Sequence, residues 1–195
     1  MPGDTPNPAG SSLSSAPGSS GRPALWRLLL AIAVPLITLL VVLVLAKKVE
    51  SNPPDPNAAV AIPVVPQPGA MSAGCAALDG ALPDTIDGHA RRTMVVAEPG
   101  VAAWGEPPVV FRCGITDPEE LTCAAALTVL NGVSWLVLGD SGSATYIAVD
   151  RPVRVAVTLD DSTGIGAVQA LANVIDGQLP ARAVCVDGVV NPVAY

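Results

Sequence analysis

The sequence predicts an α+β fold: a single N-terminal transmembrane helix, then a small antiparallel sheet domain with one or two helices packed on one face. Three observations predict it. Leu28 to Ala46 is an uncharged apolar run of 19 residues, and a helix of that length spans roughly 29 Å, close to the roughly 30 Å hydrocarbon core of a bilayer. Val133–Leu138, Ala144–Val149 and Val153–Leu159 are apolar or β-branched runs joined by short turns, which makes sequence neighbours antiparallel. Ile165, Val168, Leu171, Ala172, Ile175 and Leu179 recur at steps of three and four, the apolar stripe of a helix that can cover one sheet face.

Residues 1–24 are dominated by Gly, Ser and Pro, cannot build a core, and are expected to form a disordered cytoplasmic tail. Residues 25–46 form the expected transmembrane helix, which makes the lipid bilayer its partner. Arg22 and Arg27 precede it and Lys47 and Lys48 follow it, so flanking charge does not orient the span. Pro35 sits inside it, which membrane helices tolerate with a kink. The rival reading is a cleaved signal peptide, for which Val44 and Ala46 offer a −3/−1 pair. The apolar run is longer than an ordinary h-region and starts late, so the anchor is the expectation. Met71 to Cys75 faintly resembles a lipoprotein box but lies far from the apolar run.

Residues 47–71 carry Pro53, Pro54, Pro56, Pro63, Pro66 and Pro68 and read as an extended, polyproline-like linker. Residues 72–195 are the expected extracytoplasmic α+β domain, large enough for one core. It opens with a short helix from Ser72 to Leu82, ended by Pro83. Thr93 to Val96 is a candidate strand. Val109, Phe111 and Cys113 alternate with Val110 and Arg112 as a half-buried strand. Pro118 to Ala126 reads as a short helical turn holding Cys123. In the last strand Val153, Val155, Val157 and Leu159 face in, while Arg154, Ala156 and Thr158 face out. The covering helix runs from Thr163 to Leu179, with Ser162 or Thr163 as its cap and Pro180 after its end. The tail from Ala181 carries Cys185, which ties it to the body.

From Val49 onward, 16 Asp and Glu stand against six Arg and no Lys, a balance of −10. Such a domain has no footprint for phosphate backbones, so nucleic acid is excluded as a partner. The four cysteines, Cys75, Cys113, Cys123 and Cys185, all follow the span. An even number on one side of a span reads as two disulfides in an oxidising compartment, which puts the C-terminal side outside and the N-terminus in the cytoplasm. Their closest spacing is ten residues, too wide for a zinc C-x-x-C pair, and no metal or other cofactor is expected.

Four pieces follow one another in order: Cys75-Ala-Ala-Leu78, Ala103-Trp-Gly-Glu-Pro-Pro108, Arg112-Cys-Gly114 and Val129-Leu-Asn-Gly-Val-Ser-Trp135. Together they resemble an actinobacterial family of membrane-anchored or secreted proteins of unknown function, the DUF3515 type, over roughly residues 72–180. The resemblance implies an envelope location and no established activity. It also implies the pairing of the cysteines. Family members commonly carry counterparts of Cys75 and Cys113, which leaves Cys123 and Cys185 as an addition and each other's partner.

Several motifs suggest chemistry and are explained more simply. Gly139-Asp-Ser-Gly142 after His89 matches the nucleophile motif and chain order of chymotrypsin-like proteases. That fold needs two barrels, and the same four residues make an ordinary hairpin turn. Gly164-Ile-Gly166 before a helix suggests a dinucleotide turn, but Gln169 stands at the third glycine position. Asp160-Asp161 fits helix capping and the helix dipole better than calcium. His89 is the only histidine and has no recognisable partner, which makes acid–base chemistry hard to stage. Trp104 and Trp135 stand out among six aromatic residues, and Trp104 with Pro107 and Pro108 is the candidate interaction surface for an envelope protein or cell-wall component. Two functions remain. The expected one is a non-enzymatic binding domain in the cell envelope. The alternative is an envelope hydrolase using carboxylates such as Asp84, Asp87 and Glu106. A pocket gathering those carboxylates would favour the second.

Overall fold

The computed structural model describes residues 22–50 and 58–193. The chain divides into two compact units, residues 1–53 and 54–195. Residues 1–21 of the expected tail and 51–57 of the expected linker lie outside the described residues. In the first unit, α1 (Arg22–Glu50) is one helix of 29 residues with Pro35 inside it. Its stretch Leu29–Lys48 has a mean hydropathy of 3.1, long and apolar enough to cross a membrane by length and composition. The one hydroxyl in its middle is satisfied within the helix, because Thr38 Oγ1 donates to the carbonyls of Val34 at 3.0 Å and Pro35 at 2.9 Å.

The second unit opens with α2 (Ala73–Ala81), whose first turn is capped where the Ser72 hydroxyl accepts from the Cys75 amide at 3.3 Å. A small hairpin follows, β1 (Thr85–Ile86) with β2 (His89–Ala90). Then come β3 (Val101–Trp104), β4 (Val109–Cys113), β5 (Leu127–Leu130), β6 (Val133–Asp140), β7 (Ser143–Ala148) and β8 (Val155–Asp160). These six form one antiparallel sheet in the order β3-β4-β8-β7-β6-β5. Next is α3 (Gly166–Gln178), and a last hairpin, β9 (Cys185–Val186) with β10 (Val189–Val190), closes the unit. The fold is α+β.

Three hairpins turn on the same dipeptide chemistry. Asp87-Gly88, Asn131-Gly132 and Asp187-Gly188 all have positive φ at both residues, from +44° to +81°. Short Asx side chains and glycine tolerate that region, and such a two-residue turn matches the twist of the strands it joins.

The alternation of the strands sorts the core into two layers. Trp104, Phe111, Trp135, Ala148, Val155, Val157 and Leu159 point to one face, where α2 and α3 cover them with Leu78, Val168, Leu171 and Ile175. Both tryptophans are fully buried there. The disulfide Cys75–Cys113 fastens α2 to the end of β4 in the same layer. The opposite face is covered as well, by loops rather than helices. Leu136, Ile147, Val149 and Ala156 pack there with Leu121, Ile115, Val184 and Val190. The second disulfide, Cys123–Cys185, joins two of those covering segments. Arg154 lies under them, 1 % exposed. Its guanidinium donates to the Asp117 carboxylate at 2.6 Å and to the carbonyls of Val149 at 2.6 Å and Asn191 at 2.9 Å.

This second layer corrects the outward assignment of Arg154 and Ala156, both of which are buried. Alternation within one strand marks its more apolar face but carries no information on what covers the other. Residues 58–71 correct the linker in the same way. They lie on the domain as a strap: Val60 bridges Met94, Gln67 donates to the Cys113 carbonyl, and Gly69 donates to the Gly114 carbonyl at 3.0 Å. Polyproline-like chain has no internal hydrogen bonds, so its backbone groups are free to bond a neighbouring sheet. Thr93 to Val96 makes only the Met94 bridge, and Pro118 to Ala126 forms turns rather than helix. Helix α3 starts later than expected. Its N-cap is Ile165, with no side-chain cap bond. Ser162 is instead engaged by Asp160, whose carboxylate accepts from both its amide and its hydroxyl.

Candidate functional site

The expected interaction surface loses its aromatic member. Trp104 is fully buried, its indole N–H donates to the Pro83 carbonyl at 2.9 Å, and the Arg91 guanidinium stands 5.7 Å from its ring centroid. Pairing with Val109 across the β3–β4 ladder turns Trp104 toward the helices, so the residue cannot serve as an exposed contact. Pro107, exposed, and Pro108, half-buried, belong to the turn between β3 and β4, and the Glu106–Pro107 bond is cis. Trp135 is equally buried and meets Tyr146 edge-on at 6.3 Å.

The three carboxylates of the hydrolase reading stand at separate places, and two of them, Glu106 and Asp87, are engaged. Glu106 pairs with Arg92 at 2.9 Å. Asp87 sits in the β1–β2 turn with its carboxylate against Gly166, where a β-carbon would stand 2.1 Å from it. A carboxylate at the first residue of α3 meets the positive end of the helix dipole. Asp84 is exposed, and its carbonyl accepts from the Arg91 amide at 2.7 Å. The His89 ring lies against Gly105, whose missing side chain leaves room for it. Ser141 and Gly142 form the two-residue turn between β6 and β7. The Gly164–Gly166 segment follows β8, which pairs antiparallel with both neighbours, whereas a dinucleotide fold places its phosphate turn after a parallel strand. Among the described residues no three His, Cys, Asp or Glu side chains come together as a metal set.

The concavities among the described residues of the domain include three. One of about 190 Å³ lies beside Cys75 and Pro99, and one of about 200 Å³ lies beside Tyr146, Asp160 and Ile165. The third, about 360 Å³, is a groove on the loop-covered face of the sheet. Its floor is the sheet itself: Arg112 of β4, Ala156 and Thr158 of β8, and Thr145 of β7. Cross-strand pairing puts all four on one face, since Arg112 stands opposite Ala156 and Thr145 opposite Thr158. One wall is the strap, through Val65 and Pro66, and the other is the loop after β4, through Ile115, Thr116 and Pro118.

The polar side chains of the groove are one guanidinium, which only donates, and threonine hydroxyls, which donate and accept. Thr145 and Thr158 share a hydrogen bond of 2.9 Å between their hydroxyls. Arg112 donates one N–H to the Pro63 carbonyl of the strap at 3.1 Å. Burial lowers the pKa of this guanidinium below the ordinary arginine value, and the field of Glu98 opposes that shift. Arg91, Arg92, Arg151 and Arg154 all have a carboxylate within 4 Å. Among the described residues Arg112 has none at that distance. Sequence reasoning placed Arg112 and Thr158 on the outward side of their strands. It missed the groove because the strap and loop that make its walls carry no periodic signal.

No curated protein and no solved structure matches the chain. A family model does, described as a protein of unknown function, and it matches residues 32–184, from inside α1 through the sheet and α3. The chain therefore belongs to the DUF3515 family.

Proposed function

We propose that the protein is a membrane-anchored binding module of the cell envelope, non-enzymatic, with its N-terminus in the cytoplasm and its sheet domain outside. The groove on the loop-covered face carries the reading, because among the described residues it offers a guanidinium and hydroxyls but no nucleophile beside a base. Apolar helix α1 supports the anchor, and two formed disulfides support an oxidising side for the domain. All four cysteines are bonded, which removes thiol nucleophiles from the surface. The separate engagement of Glu106 and Asp87 takes away the main support for carboxylate hydrolysis.

Two experiments test this. Protease added to intact spheroplasts digests the domain, and full protection would refute the orientation. In a deletion strain with a phenotype, His89→Ala and Ser141→Ala complement fully, whereas Thr116→Trp, which fills the mouth of the groove, does not. Loss of function in the His89 or Ser141 variant, with folded and abundant protein, turns the reading to an enzyme.

A further inference from the structure

Arg112 is singular in its surroundings. Among the described residues it is the one cationic side chain lining the groove, in a domain whose balance is −10 from Val49 onward. Of its five N–H donors, the hydrogen bonds among the described residues commit one, to the Pro63 carbonyl. Glu98 acts on it electrostatically from beyond ion-pair distance. A half-buried guanidinium without a carboxylate in contact is attractive to an incoming anion, since desolvation has been partly met before the ligand arrives. Thr145 and Thr158 add to this. Their mutual bond uses one hydroxyl proton and leaves the other available to donate. The floor thus presents a fork of N–H donors beside a hydroxyl donor, the complement of a group that only accepts.

The remaining lining selects among anions. Val65, Pro66, Ile115, Pro118 and Ala156 make the walls and part of the floor apolar. A volume of about 360 Å³ falls at the small end of ordinary small-molecule sites, roughly 300–1,000 Å³. A single cation within an acidic domain suits one negative charge and disfavours a dianion such as phosphate, whose second charge would meet only the negative field. A planar carboxylate matches the guanidinium fork in a bidentate contact, with its organic body against the prolines.

We propose that the groove between the strap and the loop after β4 is a binding site for a small monocarboxylate with an apolar body, held by the Arg112 guanidinium and the Thr145–Thr158 hydroxyls. This rests on the binding reading above and names its ligand class. The site is assembled only when residues 58–71 are in place, because the strap supplies both a wall and the carbonyl that orients Arg112.

The test is calorimetric titration of the full chain in detergent with N-acetyl-alanyl-leucine, with its C-terminal amide, and with inorganic phosphate. The acid binds saturably, and the amide and phosphate bind at least about tenfold more weakly. Arg112→Gln weakens the acid by about tenfold or more, while Arg91→Gln, the same charge change on the other side of the sheet, leaves it unaltered. Thr116→Trp abolishes binding at the mouth without touching Arg112, which guards against a strap loosened by Arg112→Gln. Equal affinity for acid and amide, both blocked by Thr116→Trp, overturns the carboxylate and leaves the groove as a binding surface. Equal loss in Arg91→Gln and Arg112→Gln assigns the effect to overall charge and overturns the site. No binding of any probe overturns the ligand class, and the complementation by Thr116→Trp then judges the binding reading by itself.

Discussion

Gly69 and Gly114 meet backbone to backbone: the Gly69 amide donates to the Gly114 carbonyl at 3.0 Å, and a β-carbon on Gly114 would stand 2.2 Å from the Gly69 carbonyl carbon. Gly114 also has φ +82°, a region that side chains other than glycine rarely adopt. Gly114→Ala is therefore expected to cost about 2 kcal/mol or more and to lift the strap from the sheet. Thermal melting measures the first effect. Limited proteolysis within residues 58–71 measures the second, and a strap as protected as in the parent protein would contradict this account.

Arg154 holds the loop-covered face together. It reaches Asp117 in one covering segment and Asn191 in another, from a position 1 % exposed. Arg154→Ala leaves a buried carbonyl, a half-buried carbonyl and a carboxylate without their donor, and is expected to destabilise by about 3 kcal/mol. Asp117→Asn should cost only about 1 kcal/mol, because that carboxylate is partly exposed and water replaces its partner. Denaturant unfolding that ranked the two variants the other way would refute this assignment.

Val157 and Leu171 both belong to the helix-covered layer and are fully buried. Substitution of either by Ala is expected to cost about 2–4 kcal/mol through lost transfer energy and the cavity left behind. An unchanged melting temperature in both variants would contradict the packing.

The Asp160 carboxyl is held below its usual pKa, first by the Ser162 hydroxyl and then by the Ser162 amide. A depressed carboxyl contributes stability that is present above the unfolded value of about 4 and is lost as pH falls through the lower folded value. Ser162→Ala removes the larger cause, so the Asp160 titration followed by carbon-detected NMR should move upward. No movement would place the cause elsewhere.

What the sequence made legible follows from periodicity and pairing chemistry. The runs from Val133, Ala144 and Val153 became β6, β7 and β8, because β-branched alternation and short turns are local signals. The stripe from Val168 to Ile175 lies buried on α3. Cys75–Cys113 and Cys123–Cys185 form as the family resemblance implied. Strand β5 was missed, although Asn131-Gly132 between apolar residues announces a hairpin once both positive φ values are considered. Trp104 misled because a turn rich in proline reads as surface, whereas register alone decides which way the preceding residue points. The groove was illegible for a different reason. Arg112 and Thr158 come from strands far apart in the chain, and the walls come from segments whose composition is the same whether they hang free or lie on a sheet.

The strap also separates two kinds of cleavage. A cut within residues 51–57 would shed a body that keeps Val65, Pro66 and the Pro63 carbonyl beside Arg112. A cut a few residues later, after Pro66, would shed a body of nearly the same mass with an open trough in place of the groove. With the anchor and the groove as proposed, release from the membrane and loss of recognition are decided by where the peptide bond is broken within a span of some ten to fifteen residues.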